Sequence, residues 1–268
     1  MEIIGRDVEI GVGVEKVRGT AQLTAEKWIK NVTANLMVKS EKVIDNTSQG
    51  VLEDSERSRV VKKWVEGDIE GIVHADMIGY FFYNLYGAVA SVNVAGSVYD
   101  HTFNISQAIQ HASLTVFAKD GDVVQKSFDN GMIGNMEITT VVDDFVRFTA
   151  SIMASGENNN SDTPSYDTEY DFIGKDVSVK IADSEAGLAG ATANKVKEFN
   201  ITFDQGIIQD FILGQFTPDD NYNAKMSIEG SFTRNFLDAT FKDLFRNDTA
   251  KYMQIAITGD ADIGSGNN

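Results

Sequence analysis

Three histidines, His74, His101 and His111, are the first residues in this chain that could do chemistry. A metal site needs ligands that converge, with partners behind them that fix their orientation. Neither H-x-x-x-H nor H-E-x-x-H spacing occurs, and the chain has no cysteine, so no metal site, thiolate nucleophile or disulfide is expected. Asp260-Ala261-Asp262-Ile263-Gly264 resembles the start of a calcium loop. It lacks the third ligand before the glycine and the downstream glutamate, and reads as a solvated acidic tail. Gly11-Val12-Gly13 lacks the third glycine and the βαβ setting of a dinucleotide loop. Asp143-Asp144 and Asp219-Asp220 are adjacent pairs, which on a strand point to opposite faces; they read as turns and not as an acid/base pair. With no G-x-S-x-G elbow either, the sequence predicts no enzyme and no cofactor.

The bulk composition points elsewhere. The 268 residues carry 23 basic and 40 acidic side chains, a net charge of −17. A surface of that sign opposes wrapping or sequence-reading of nucleic acid, which requires phosphate neutralisation. It suits solubility, or a surface that DNA must slide past without sticking. The most apolar stretch, Met77 to Val92, is interrupted by Gly79, Asn84 and Gly87 and is shorter than a membrane span. The start of the chain has no basic segment followed by an apolar one, so synthesis in the cytosol and no membrane insertion are expected.

The elements that would position any site are organised by an internal repeat. Ile69-Glu70-Gly71 recurs as Ile228-Glu229-Gly230, an offset of 159 residues. The same offset pairs Ile78 with Leu237, Phe82 with Phe241, Leu85 with Leu244 and Tyr86 with Phe245. These positions follow helical spacing. Each copy therefore predicts a strand ending near Glu-Gly, an amphipathic helix with those residues as its core face, and a further strand. The first helix is expected over Asp76–Tyr86, stopped by Gly87, and the second over Asn235–Phe245. Strands follow at Ala88–Ala95 and Lys251–Thr258. Upstream, Val32–Val38 resembles Val196–Phe203 with gaps.

Between the copies, alternation predicts strands at Tyr99–Ile105, Ser113–Lys119, Met136–Thr140 and Phe145–Met153, with a hairpin turn at Lys119–Asp122. Trp28 and Trp64 read as core. Ser155–Tyr170 reads as a linker, and Gly11–Glu26, Glu41–Ser58 and Ala182–Asn194 as loop-like. The charged run through Glu53, Asp54, Glu56, Arg57 and Arg59 is the candidate inter-subunit loop. The expected organisation is an N-terminal arm (1–31), a first copy (32–155), a linker with an inserted loop (156–195) and a shortened second copy (196–268).

Several segments, in this order and spacing, resemble the major tail tube proteins of long-tailed, non-contractile bacteriophages. They are Gly11–Ala21, Gly50–Ser55, Lys62–Gly71, Leu85-Tyr86-Gly87, Tyr99–Phe103, His111–Thr115, Lys180–Leu188 and Lys195–Lys197. The resemblance implies a mainly β fold with flanking helices, a tail-tube-type β-sandwich or half-barrel, here in duplicated strand–helix–strand units. It also implies a structural virion protein, made in the host cytoplasm, that self-assembles into stacked rings around a lumen through which genomic DNA is ejected. Implied partners are further copies of itself, the tape measure protein, the tail tip and the tail terminator, with DNA only in transit. A duplicated subunit would give a trimeric, pseudo-sixfold ring; the alternative is a hexamer. Asp68 and Glu70 are the candidate lumen-facing acids. A ring-forming tail-tip or secretion-tube component is the alternative function, followed by a β-rich ligand-binding protein or enzyme.

Overall fold

The computed structural model describes residues 8–45, 50, 57–96, 98–236 and 239–260. In chain order the strands are β1 (Val8–Val14), β2 (Lys27–Ile29), β3 (Val32–Ala34), β4 (Met37–Asp45) and β5 (Arg57–Ile72), then helix α1 (Ala75–Tyr86). Next come β6 (Gly87–Ala95), β7 (Val98–Ile105), β8 (Leu114–Asp120), β9 (Val124–Val141), β10 (Arg147–Ala154) and β11 (Gly156–Asn159). The last part holds β12 (Val177–Ala182), β13 (Val196–Asp204), β14 (Ile207–Asp210), β15 (Asp220–Asn223), β16 (Ser227–Arg234), helix α2 (Thr240–Arg246) and β17 (Tyr252–Ile257). The chain is mainly β, with antiparallel pairing throughout.

One strand organises the molecule. The first half of β9 pairs with β8 and β11, and β8 leads on through β1 to β2. Its second half pairs with β10 and β13. β10 leads to β5, which β3 and β4 flank in succession, and β13 leads to β16. Register shifts in the β8 and β10 ladders accompany the passage of β9 from one sheet to the other, as bulges do at sheet corners.

The two sheets and α1 enclose one core. Ile10, Val12 and Ile29 come from the first sheet; Ile69, Phe148, Met136 and Phe203 come from the second. Met77, Phe81 and Leu85 of α1 are fully buried, and Phe81 meets Phe148 edge-on at 5.4 Å between centroids. The buried stripe is one residue round from the expected Ile78, Phe82, Leu85 and Tyr86. Ile78, Phe82 and Tyr86 are half-buried beside it, because two apolar stripes run side by side on this helix. The helix ends where expected: Gly87 sits at φ 77°, and a Cβ there would lie 2.4 Å from the His111 ring. Both facts require glycine.

Several loop-like readings give way. Residues 8–14 and 27–29 are core strands and not part of a free arm; Ile10, Val12 and Val14 alternate while Gly11 lets the strand approach Trp28. Glu41–Asp45 and Arg57–Ser58 belong to the long β4–β5 hairpin. Met136–Thr140 is only the end of the 18-residue β9. The stretch 156–171 is strapped down rather than loose. Asp162 accepts from the Ala25 amide and Trp28 Nε1, Ala75 N donates to the Tyr170 carbonyl, and Lys27 lies 3.5 Å from both Asp76 and Asp167. Trp28 is core as expected, whereas Trp64 is half-buried and packs edge-on to Phe211.

Candidate functional site

The second sheet has two unlike faces. On its inner side, Ile69, Ala150, Met136 and Phe203 form one cross-strand row, all buried. On its outer side the adjacent row reads Thr33, Glu70, Thr149, Glu137, Thr202, Glu229, across β3, β5, β10, β9, β13 and β16. Threonine and glutamate alternate over six strands. Like charges directly opposite one another would repel. The alternation places a hydroxyl between each pair of carboxylates, which then lie two strand spacings, ~10 Å, apart.

The next outer row holds Asp68, Ser151, Asn135, Asp204 and Ser227. Ser151 Oγ donates to Asp68 at 2.6 Å, and Asn200 donates to Glu137. Glu198 adds a further acid beside Thr233. Arg147 lies on the same face in a neighbouring row with Thr139, Asn200 and Ser231, and its guanidinium is held by Asp144 at 2.9 and 3.0 Å. That hydrogen bond holds the Asp144 carboxyl below the usual range. Of the two acids singled out from sequence, Asp68 is half-buried and Glu70 exposed, and both lie on this face. A shallow groove of about 510 Å³ runs along it past Asn35, Asp68, Ser151 and Asp204.

The ends of the sheet are open. β4 is paired only with β5, and β16 only with β13, among the described residues. Both carry exposed apolar side chains: Met37, Val43 and Ile44 on β4, Ile228 on β16. The strands β4 and β5 up to Glu66 carry six basic and three acidic residues, unlike the acidic chain as a whole. Arg57 and Arg59 are exposed residues of β5 and not of a loop; Glu53, Asp54 and Glu56 lie outside the described residues.

Behind this face, a buried polar cluster locks the N-terminal turn to the body. Asp220 Oδ1 accepts from Arg18 Nε at 2.8 Å and from Asn130 at 3.1 Å. Glu15 accepts from the Asn130 amide at 2.7 Å and from Thr115 at 3.1 Å. Burial pushes the Asp220 carboxyl up, but Asn130, its own loop amide and Arg18 outweigh it and hold it below the ordinary value. Asp220 is thus an anchor and not merely a turn, which adjacency to Asp219 concealed. Asn84 is a second such residue. It donates to the carbonyls of Ala112 and Gly131 and accepts from the Ile133 amide. Nothing in the sequence pairs these residues with partners 28 to 202 positions away.

The histidines do structural work on separate elements. His74 starts α1, with Nε2 3.4 Å from Glu169. His111 places Nδ1 3.0 Å from the Leu85 carbonyl at the end of α1. His101 stacks between Tyr99 and Phe103 on β7, the shared strand face expected for it. Asp260 pairs with Lys175, and the rest of the calcium-loop-like segment lies outside the described residues. Among the described residues no helix is long and apolar enough to cross a membrane.

The family model for phage tail tube proteins matches residues 5–268. No curated protein matches the chain.

Proposed function

We propose a function from one premise: the chain belongs to the phage tail tube protein family, and is therefore a structural component of the virion tail. In this reading the copies associate side by side into rings, and rings stack into a hollow tube that carries genomic DNA out during ejection. The acidic outer face of the second sheet lines the lumen. The Thr–Glu row from Thr33 to Glu229 carries this reading. A lumen wall must have one dry face and one wet face, and the wet face must not bind DNA. Duplex DNA carries a negative charge every ~1.7 Å of its axis, so a wall bearing Asp68, Glu70 and Glu137 repels it at every level.

Closing such sheets edge to edge removes their unpaired strands, which otherwise invite uncontrolled association. The β3/β4 end of one copy would meet the far end of the next, a head-to-tail contact that generates a ring. Three copies per ring would follow if the two strand–helix units were equivalent. The burial of α1 against the exposure of α2 favours six, with one tube unit per chain. Tape measure, tip and terminator proteins are the further partners, and synthesis occurs in the host cytoplasm.

Electron microscopy of the purified chain at micromolar concentration, with its mass from light scattering, tests this. Tubes or stacked rings are the expected result. A monomer that never polymerises, even beside tail-tip initiators, contradicts it. Discrete rings that do not grow would support the second reading, a tail-tip or secretion-tube ring on the same fold.

A further inference from the structure

Resting on the tube reading, we propose that the edge of β9 now filled by β13 and β16 is the docking surface for the β3/β4–β5 pair of a second copy. The strands in place there are an in-chain double of the incoming ones. Thr33 stands opposite Glu70 as Thr202 stands opposite Glu229; Val32 faces Gly71 as Ile201 faces Gly230; Ala34 faces Ile69 as Phe203 faces Ile228. The match is therefore one of register, not only of sequence. β5 and β16 also run in the same direction, four strand positions apart, with their repeated tripeptides on the same rows.

Among the described residues the sheet has two such strand pairs but one β9–β10 hairpin between them. A closed wall that alternates pair and hairpin has room for one pair per copy, so one of the two must yield. The two are held unequally. The β5 pair leads into α1, whose Met77, Phe81 and Leu85 are fully buried. The β16 pair leads into α2, which has no buried residue, and Phe236 and Phe245 beside it are 80% and 88% exposed. The C-terminal pair is the one that leaves. Exchange of one strand pair for its double keeps the ladder at the three positions the doubles share, Val32–Ala34 in place of Ile201–Phe203, which lowers the cost of segment exchange between identical chains. Phe199 and Phe203 of β13 are buried, so their release makes the exchange slow. The unassembled chain stays closed until an assembling end captures it.

The absence of cysteine makes a disulfide test clean. Thr139 and Asn200 are opposite on β9 and β13, within disulfide reach, and T139C/N200C locks the in-chain pair. The oxidised lock is expected to lose assembly and regain it on reduction. A second variant, T33C/E137C, places its thiols three strand spacings apart in one chain, ~14 Å, too far to bridge. Oxidation of its assemblies is expected to give a ladder of covalent oligomers, and oxidation of its monomer none. If the unsubstituted chain assembles and the oxidised lock assembles equally well, or the second variant gives no covalent oligomers, the exchange is refuted while the tube reading stands. If the unsubstituted chain never assembles, both fall. Should the reduced lock fail to assemble, the second variant alone decides.

Discussion

The helices α1 and α2 share a sequence pattern and stand in opposite situations. α1 spans 12 residues and closes the core; α2 spans seven and has no fully buried residue. Asn84 of α1 bonds three backbone groups, whereas its counterpart Asp243 is exposed. Among the described residues β5 is flanked on both sides, and β16 on one. A repeated pattern therefore sets what a segment can do, and the neighbours available decide whether it becomes core. The C-terminal unit holds the pattern of a core module without the partners that would complete it.

Paired substitutions sharpen the contrast, and equal effects at both members of a pair would break it. The largest difference is expected between F81A and F245A. Emptying the Phe81 site should cost about 3–5 kcal/mol, and truncating exposed Phe245 less than ~0.5 kcal/mol, by urea unfolding. Next comes N84A, which strands the Ile133 amide and two carbonyls and should cost about 1–3 kcal/mol; D243A should be neutral within ~0.5 kcal/mol. A smaller gap separates the glycines. A Cβ at Gly71 would lie 2.6 Å from Val32 and 2.7 Å from the Asn31 carbonyl, while at Gly230 the nearest atom is 3.0 Å away. G71A should cost about 1–3 kcal/mol, and G230A less than G71A, on thermal melts.

The smallest effect is a pH dependence at the anchor where Asp220 meets Arg18 and Asn130. The Asp220 carboxyl has a lowered value in the folded chain, so its contribution is present above the unfolded value of about 3.9 and is lost as pH falls through the folded one. D220N should destabilise the chain at pH 7, and the gap from the unsubstituted protein should close below pH ~4. A gap that persists unchanged in acid would mean that the carboxylate charge is not what holds Arg18.

Much of this architecture is visible in local pattern. Alternation marks β7, β8 and β10, and helical spacing with Gly87 marks α1 and its end. The tripeptide repeat even points to one row of the second sheet, since Glu70 and Glu229 lie on it together. What escapes is whatever depends on distant partners. Gly11 and Gly13 look like loop residues until Trp28 and Glu26 are seen packed against them. The second helix packs Phe241 against Phe232 of β16 but has no fully buried residue, because only one strand lies beside it. Thr33, Thr149, Glu137 and Thr202 gain meaning only once four other strands fix their register, and a chain read locally has no access to that.

The most direct test of the account is a cryo-electron microscopy reconstruction of the assembled chain at a resolution that traces strands. In such a map a continuous β wall is expected, with Glu70 and Glu137 pointing into the lumen. A tube whose lumen is lined by the first sheet, or one in which that acidic row is buried between rings, would contradict it.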